Sequence, residues 1–277
     1  MTIATTTNHD ELYYLWNGRM RQTRLYHGFF VVAVILVSYW AALGTETNPA
    51  KMIRGIELGV DFFSRALPPS LEHADRIFYR LFETIAIAIL GTTLGALFAF
   101  PLAVLASRNI VANRFVYQSI RLVIDGCRGI SEIVWAFLLV TAIGLGPFPG
   151  VVALTIHNAG ALGKYFSETI ESIDPGVMEA VAAPGANQIK LIARGVWPEL
   201  KPLFINYVFY YFEASMRQAT ILGLVGAGGI GYEFIVRIKH LNYPAAMTIV
   251  IVMLLLVILT DRTSAFVRSR LTGNKPA

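Results

Sequence analysis

The stretch FETIAIAILGTTLGALFAFPLAVLA, from Phe82 to Ala106, has the length and composition of a helix that crosses a lipid bilayer. Such a helix needs about 20 mostly apolar residues. Two other stretches have the same character, LYHGFFVVAVILVSYWAAL at Leu25–Leu43 and YPAAMTIVIVMLLLVIL at Tyr243–Leu259. These three stretches predict an all-α membrane protein.

The composition supports this class. The 277 residues are 55% hydrophobic and only 15% charged, whereas soluble domains carry roughly 25% charged residues. The length suits a single helical bundle. Cys127 is the one cysteine, so an internal disulfide is excluded. No Cys/His cluster with metal-ligand spacing occurs in the sequence, and we expect no metal site.

Three weaker candidate spans complete a set of six, and each is interrupted by polar residues. They are Ile130–Gly146, Phe148–Phe166 and Leu203–Val225. A charge at the centre of a span costs about 2.5–3.5 kcal/mol on insertion scales, so such residues usually face the bundle interior or a wet cavity. The interrupting residues, which we take as candidates for a translocation path, are Glu132, His157, Asn158, Glu213 and Arg217.

Six spans place both termini on one side of the membrane, and Lys and Arg accumulate on the cytoplasmic side. With the amino terminus inside, 15 of the 23 Lys and Arg residues fall in cytoplasmic segments, and Arg217 falls in a span. The other seven, in external segments, are Lys51, Arg54, Arg65, Arg76, Arg80, Arg237 and Lys239. The bias predicts cytoplasmic termini and explains the net charge of +5 without a nucleic-acid partner.

The spans define four segments. Residues 1–24 form a cytoplasmic amino-terminal segment, and residues 25–81 contain the first span and an external loop. Residues 82–262 form the transmembrane core with a cytoplasmic loop at 172–200, and residues 263–277 form a cytoplasmic tail. In the external loop, Lys51–Ala66 alternates apolar and charged residues as an interfacial helix does, before Pro68 and Pro69. It is either a spacer or a docking surface for an external partner.

The cytoplasmic loop contains EAVAAPGANQIKLIARGVWPEL, Glu179–Leu200, which is too polar to cross the bilayer. Asp174 and Pro175 predict a helix start, with the helix running to Ala183. Gly185 after a proline predicts a sharp corner. A second helix would bury its apolar positions and end at Pro198. Those positions are Ile189, Leu191, Ile192 and Val196. The corner is either a docking surface for another protein or a simple connection.

The spacing of Glu179, Ala180, Gly185 and Pro198 resembles the EAA loop of ABC-importer permeases, with departures at Val181, Gly195 and Trp197. The stretches Asp125–Glu171 and EASMRQATILGLVGAGGIG, Glu213–Gly231, are similar to the phosphonate/phosphite branch of that family. The similarity runs from about Phe82 to the carboxyl end.

The resemblance implies a type I permease fold in the bacterial inner membrane. It implies a homodimer served by two cytoplasmic ATPase subunits, which bind ATP and Mg²⁺, and by an external solute-binding protein. The permease itself is then non-catalytic, binds no cofactor, and carries a small phosphorus oxyanion inward. The residues that would dock on the ATPase are Glu179, Ala180, Ala183, Gly185, Ala186 and Pro198.

The run Gly226-Ala227-Gly228-Gly229-Ile230-Gly231 matches the dinucleotide pattern G-x-G-x-x-G, but it follows a membrane span instead of a strand. Its glycines permit a tight turn or close packing at the outer end of the fifth span. The resemblance places them near an external gate, at Gly226, Gly228, Gly229 and Gly231. The chain has no G-x-x-x-x-G-K-[ST], so ATP chemistry must come from a partner.

Several polar groups have two interpretations. Glu213 and Arg217 share a helix face at i,i+4, and the pair either holds the bundle together or helps to draw an oxyanion through it. His157 and Asn158 either line the path or form interhelical hydrogen bonds. Asp125, Arg128 and Glu132 have the spacing of residues on one helix face at the start of the third span. Gly91 and Gly95 predict a close-packing helix face in the second span, which could serve a dimer.

Two other functions compete with the importer. A stand-alone secondary transporter for a small anion would use the charged residues in its spans for coupling ions, but it leaves the cytoplasmic corner unexplained. A membrane enzyme such as a lipid phosphatase lacks an evident catalytic constellation in this sequence. The expected non-protein partner is membrane lipid.

Overall fold

The computed structural model describes residues 9–45, 49–182 and 187–272, which are helical with short connections. The chain divides into two compact units, Met1–Ser64 and Arg65–Ala277. The α-helices in the described ranges are α1 (His9–Gly44), α2 (Pro49–Ala66), α3 (Ala74–Leu105), α4 (Arg114–Gly129), α5 (Glu132–Ile143), α6 (Pro147–Glu171), α7 (Pro175–Ala182), α8 (Gln188–Leu191), α9 (Trp197–Leu222), α10 (Gly229–Lys239) and α11 (Tyr243–Thr272).

The first unit contains α1 and most of α2. Helix α1 has 36 residues and includes the predicted first span, and it already begins at His9. Helix α2 covers the predicted interfacial helix and ends at Ala66, before the two prolines. Its apolar side chains, among them Ile53, Ile56 and Phe63, are exposed within the chain. This is the pattern of an amphipathic surface helix.

The core of the second unit lies around α6, which packs along α3 through small residues. A Cβ atom added to Gly91 would lie 2.6 Å from Cβ of Leu154, and one added to Gly95 would lie 2.6 Å from Cβ of Asn158. Both glycines are buried. The Gly91/Gly95 face is therefore covered by α6 within the chain, and the hypothesis that it could serve a dimer is wrong.

The third predicted span is broken. Helices α4 and α5 meet at an angle of 86°, because Ile130 and Ser131 are extended and Ser131 caps α5 by accepting the Ile133 N–H. Helix α5 has 12 residues, or about 18 Å, which is too short to cross a bilayer alone. The straight span Ile130–Gly146 is therefore wrong. The prediction that Asp125, Arg128 and Glu132 share one helix face is also wrong. Arg128 pairs with Asp125 at 3.1 Å, but Glu132 lies after the break, in α5.

In the part of the chain that the structure describes, four helical stretches could cross a membrane by length and composition: Tyr26–Gly44, Ala74–Leu105, Ile189–Lys239 and Tyr243–Arg270. The bent pair of α4 and α5 would make a fifth. Helix α6 corresponds to the fourth predicted span. It has 25 residues, or about 37 Å, and is largely buried among its neighbours.

The segment before α9 differs from its prediction. Asp174 does start α7, since its Oδ1 accepts the Gly176 N–H at 2.8 Å. Pro198 does not end a helix, however. A π-helical turn, Ile192–Val196, runs directly into α9, and the Trp197 N–H donates to the Ile192 carbonyl five residues back. A proline in the first turn of a helix loses little, because its missing N–H has no helical partner there. Ile189, predicted to be buried, is exposed.

Candidate functional site

The predicted coupling segment presents its described residues at the surface. Glu179 and Ala180 on α7 are exposed, as is Pro198 in the first turn of α9. The next residue back in α7, Met178, is buried in an apolar cluster with Phe166 and Val196. Helix α7 is thus anchored by one side while its Glu-Ala pair faces outward. The remaining predicted docking residues, Ala183, Gly185 and Ala186, lie outside the described residues.

An ionic network joins α9 to α11. As predicted, Arg217 pairs with Glu213, with Nη2 3.2 Å from Oε1. The Arg217 guanidinium also contacts Oδ1 of Asp261 at 3.1 Å, and Arg268 contacts the other Glu213 oxygen at 3.2 Å. Two carboxylates and two guanidiniums therefore balance each other. Asp261 and Arg268 were not predicted, because the sixth span was ended at Leu259.

This network is partly open and lies beside a buried contact between α6 and α9. Ser215, two residues from Arg217, accepts a 2.9 Å hydrogen bond from Nδ2 of Asn158, in the middle of α6. The side chains of Arg217 and Asp261 are each 43% exposed within the chain. The network is therefore open on one side of α9 and α11, where solvent or a ligand can reach the Arg217 guanidinium.

The other predicted path residues separate into two environments. The structure brings Glu132 and His157 together, with the nearest carboxylate oxygen 3.9 Å from His157 Nε2. His157 Nδ1 lies 3.3 Å from the Ile130 carbonyl at the α4–α5 break. Asn158 is fully buried and bridges α6 to α9 through Ser215. Of its two interpretations, the interhelical hydrogen bond fits this geometry.

The glycine run forms a tight crossing between α9 and α10. Gly226, Gly228 and Gly229 have φ values of +93°, +75° and +72°, which non-glycine residues rarely adopt. A Cβ on Gly228 would lie 2.9 Å from Cα of Pro147, and the Gly226 carbonyl accepts the Gly146 N–H at 3.0 Å. Within the described residues no strand precedes the run, as a dinucleotide fold would require.

The run also contacts α3. The Ile230 N–H donates to Thr84 Oγ1 at 2.8 Å, and Thr84 is about 15 Å along α3 from its first residue. The chain then continues as α10, where an external loop was predicted. Arg237, counted as a loop charge, is instead buried and paired with Glu233 on the same helix, with Nε 2.9 Å from Oε1. The run directly follows the end of α9 at Leu222 and a short turn at Gly223–Val225. Its placement at the outer end of the fifth span and its role as a gate stay predictions.

Known proteins resemble this chain over most of its length. A family described as "Binding-protein-dependent transport system inner membrane component" matches residues 91–273. HtxC of Stutzerimonas stutzeri, assigned to a phosphite transport system, is 37% identical over 255 residues, covering 92% of this chain and 90% of that protein. The phosphate-import permease protein PhnE of Mycolicibacterium smegmatis is 38% identical over 222 residues, covering 80% of this chain and 41% of that protein.

Solved structures show the same fold at lower identity. The MetNI methionine ABC transporter, in an inward-facing conformation, contains a chain that matches with a TM-score of 0.62 at 21% identity, covering 71% of this chain and 96% of that chain. A bacterial alginate ABC transporter matches with a TM-score of 0.60 at 17% identity, covering 93% and 98%. The likeness identifies the type I ABC permease fold. Together with the matched region, it shows that the chain belongs to the inner membrane components of binding-protein-dependent transport systems, the permease subunits of ABC transporters.

Proposed function

We propose that this chain is the permease of an ABC importer that carries a small phosphorus oxyanion, such as phosphite or a phosphonate, into a bacterial cell. The observation that carries the proposal is the 37% identity to a phosphite-system permease over nearly the whole of both chains. In this proposal two cytoplasmic subunits bind ATP and Mg²⁺ and hydrolyse the nucleotide. An external solute-binding protein delivers the anion, and a second copy of the chain completes the path.

The proposed membrane arrangement has six spans and cytoplasmic termini. The spans are α1, α3, the bent pair α4 and α5, α6, α9 with α10, and α11. The support for this arrangement is the bias of Lys and Arg toward the proposed cytoplasmic segments.

The proposed coupling surface is the corner that contains Glu179, Ala180, Ala183, Gly185, Ala186 and Pro198. Its support is the exposure of Glu179 and Ala180 on a helix that Met178 anchors in the core. We expect Gly185→Trp to leave the chain in the membrane while the ATPase no longer co-purifies or hydrolyses ATP without uptake. Gly44→Trp, at a position with open space around it, is the control. Normal coupled transport by Gly185→Trp would rule out this docking role.

The proposed path passes Arg217 and Glu213, with His157 and Glu132 near the α4–α5 break, Asn158 as a support, and Gly226, Gly228, Gly229 and Gly231 at the gate. Guanidinium groups present donors that match phosphate-like oxygens. Arg217 is already engaged by two carboxylates, so an oxyanion that binds its Nη1 and Nη2 groups competes with them. This competition favours weak, transient binding, as a transport path requires.

The test is uptake of labelled phosphite by cells that lack their own phosphite transporter. We expect uptake only when the chain is expressed with its ATPase and its solute-binding protein. Uptake by the chain alone would favour the secondary transporter instead. Binding of phosphonate, phosphite, hypophosphite and phosphate to the purified solute-binding protein then identifies the substrate.

A further inference from the structure

A polar cavity lies where the chain passes from α3 into α4. It shares no residue with the ionic network of α9 and α11, and it lies next to the carboxyl end of α6, where Glu171 and Ile170 contact Arg108 and Asn109. Its volume is about 380 Å³, and its polar lining comes from Arg108, Arg114, Tyr117 and Gln118. The Arg108 and Arg121 guanidiniums both lie close to the Tyr117 ring, at 5.1 and 4.8 Å from its centroid. Arg108 and Arg114 line the cavity together with this ring, and Arg121 lies behind it.

The carboxylate beside this cavity is already used. Glu171 accepts the Arg108 backbone N–H at 2.9 Å through Oε1 and the Arg121 guanidinium at 2.9 Å through Oε2. The Arg108 side chain donates through Nε to the Tyr117 hydroxyl at 2.6 Å, which is a neutral partner. Among the described residues, neither Arg108 nor Arg114 forms a side-chain salt bridge. The carboxylate here, Glu171, is paired with Arg121, so the arginines around the cavity carry more positive charge than this carboxylate balances.

We propose that this cavity binds a phosphoryl anion, and that its source is the headgroup of an anionic phospholipid. Guanidinium groups bind phosphate oxygens in bidentate fashion, and basic pockets at the edge of a helical bundle bind such headgroups. The same helix, α4, carries Phe115 and Leu122 in strongly exposed positions, where acyl chains can lie. This site is distinct from the proposed transport path and does not depend on the transported substrate.

The experiment uses the complete transporter complex, purified in detergent. One arm adds phosphatidylglycerol or, as the neutral comparison, phosphatidylcholine, and measures bound lipid by native mass spectrometry and the thermal unfolding midpoint. The other arm adds inorganic phosphate without lipid. We expect retention of phosphatidylglycerol over phosphatidylcholine. A response to inorganic phosphate alone supports the phosphoryl site but assigns its source to the free anion.

The variants are Arg108→Gln and Arg114→Gln, singly and together. From the typical contribution of one basic residue to binding anionic lipid, each should weaken phosphatidylglycerol binding about fivefold and both about thirtyfold. The double variant Lys201→Gln/Arg262→Gln makes the same charge change at other exposed positions and should bind as the wild type does. Unchanged binding of both ligands by the Arg108/Arg114 double variant would overturn the proposal. Loss of the ATPase with unchanged lipid binding would overturn it too, and would assign the arginines to the ATPase contact.

Discussion

Two Glu–Arg pairs with the same i,i+4 spacing sit in consecutive helices and have opposite surroundings. Glu233 and Arg237 on α10 have side chains only 7% and 9% exposed, and the pair closes on itself. Glu213 and Arg217 on α9 have side chains 15% and 43% exposed, and the pair extends to Asp261 and Arg268 on α11. The spacing predicts both pairs equally well, so the difference lies in what the fold places around each.

The different surroundings indicate different roles for the Glu233–Arg237 and Glu213–Arg217 pairs. A buried pair that satisfies itself contributes little by forming, but breaking it leaves an uncompensated charge in the interior. An open pair with a third partner can exchange one carboxylate for another anion at small cost. We therefore infer that the α10 pair fixes the structure and the α9 pair is available to a ligand.

The largest loss of stability should follow from removing one member of the buried Glu233–Arg237 pair, here called the closed pair. Glu233→Gln leaves Arg237 buried without its carboxylate, which costs about 3–5 kcal/mol, and we expect a large drop in the thermal unfolding midpoint of the purified complex. Replacing both residues with glutamine should recover part of the loss. The control is Asp261→Asn in the open network, where the cost should stay below about 1 kcal/mol. Equal losses in the two single variants would contradict the distinction.

The next effect concerns the turn that starts α10 and so positions the closed pair. Gly229 has φ +72°, and an added Cβ would lie 2.7 Å from Thr84 Oγ1. Gly229→Ala should cost about 2–3 kcal/mol, from the left-handed backbone and the weakened hydrogen bond between Thr84 and Ile230. Gly126→Ala, in α4 with open space around it, should stabilise by about 0.5–1 kcal/mol. Thermal unfolding should show a lower midpoint for Gly229→Ala and a higher midpoint for Gly126→Ala than for the wild type.

Local signals predicted the parts of the fold that depend on neighbouring residues. The strong apolar stretches became α1, α3 and α11, Asp174 caps α7, and Glu213 pairs with Arg217. Each depends on composition or on residues within one or two turns of helix. The existence of these elements could therefore be predicted without knowing what packs against them, whereas the helices extend beyond the predicted apolar stretches.

The missed features depend on tertiary contacts. Helix α10 was not predicted, because an external loop was expected after the glycine run, whose contacts with α3 and with the turn before α6 hold the start of this helix. Pro198 was expected to stop a helix, but a π-helical turn carries the chain past it. Asp261 was placed outside the last span, because hydropathy cannot show that α9 brings an arginine to it. Packing decided each of these cases.

The partly exposed Glu213–Arg217 pair should matter more for transport than for stability. We expect Arg217→Gln to lower the uptake rate about tenfold or more, equivalent to about 1.4 kcal/mol, with little change in the unfolding midpoint. Arg217→Lys keeps the charge but loses the guanidinium fork, so uptake should be intermediate. Uptake is measured per assembled complex, with Arg237→Lys as the matched control in the closed pair. Wild-type uptake by Arg217→Gln would remove this residue from the mechanism.

The smallest effect should come from Asp261, the carboxylate that an oxyanion would displace from Arg217. Asp261→Asn gives the network a net positive charge that holds an anion longer, so uptake should fall by up to about fivefold, as expected for a half-exposed pair. Since Asp261 acts through Arg217, the two substitutions should not be additive. The double variant Arg217→Gln/Asp261→Asn should then transport as Arg217→Gln does alone. Full additivity of the two losses would show that Asp261 acts elsewhere, because an exchange of partners at Arg217 requires that guanidinium to be present.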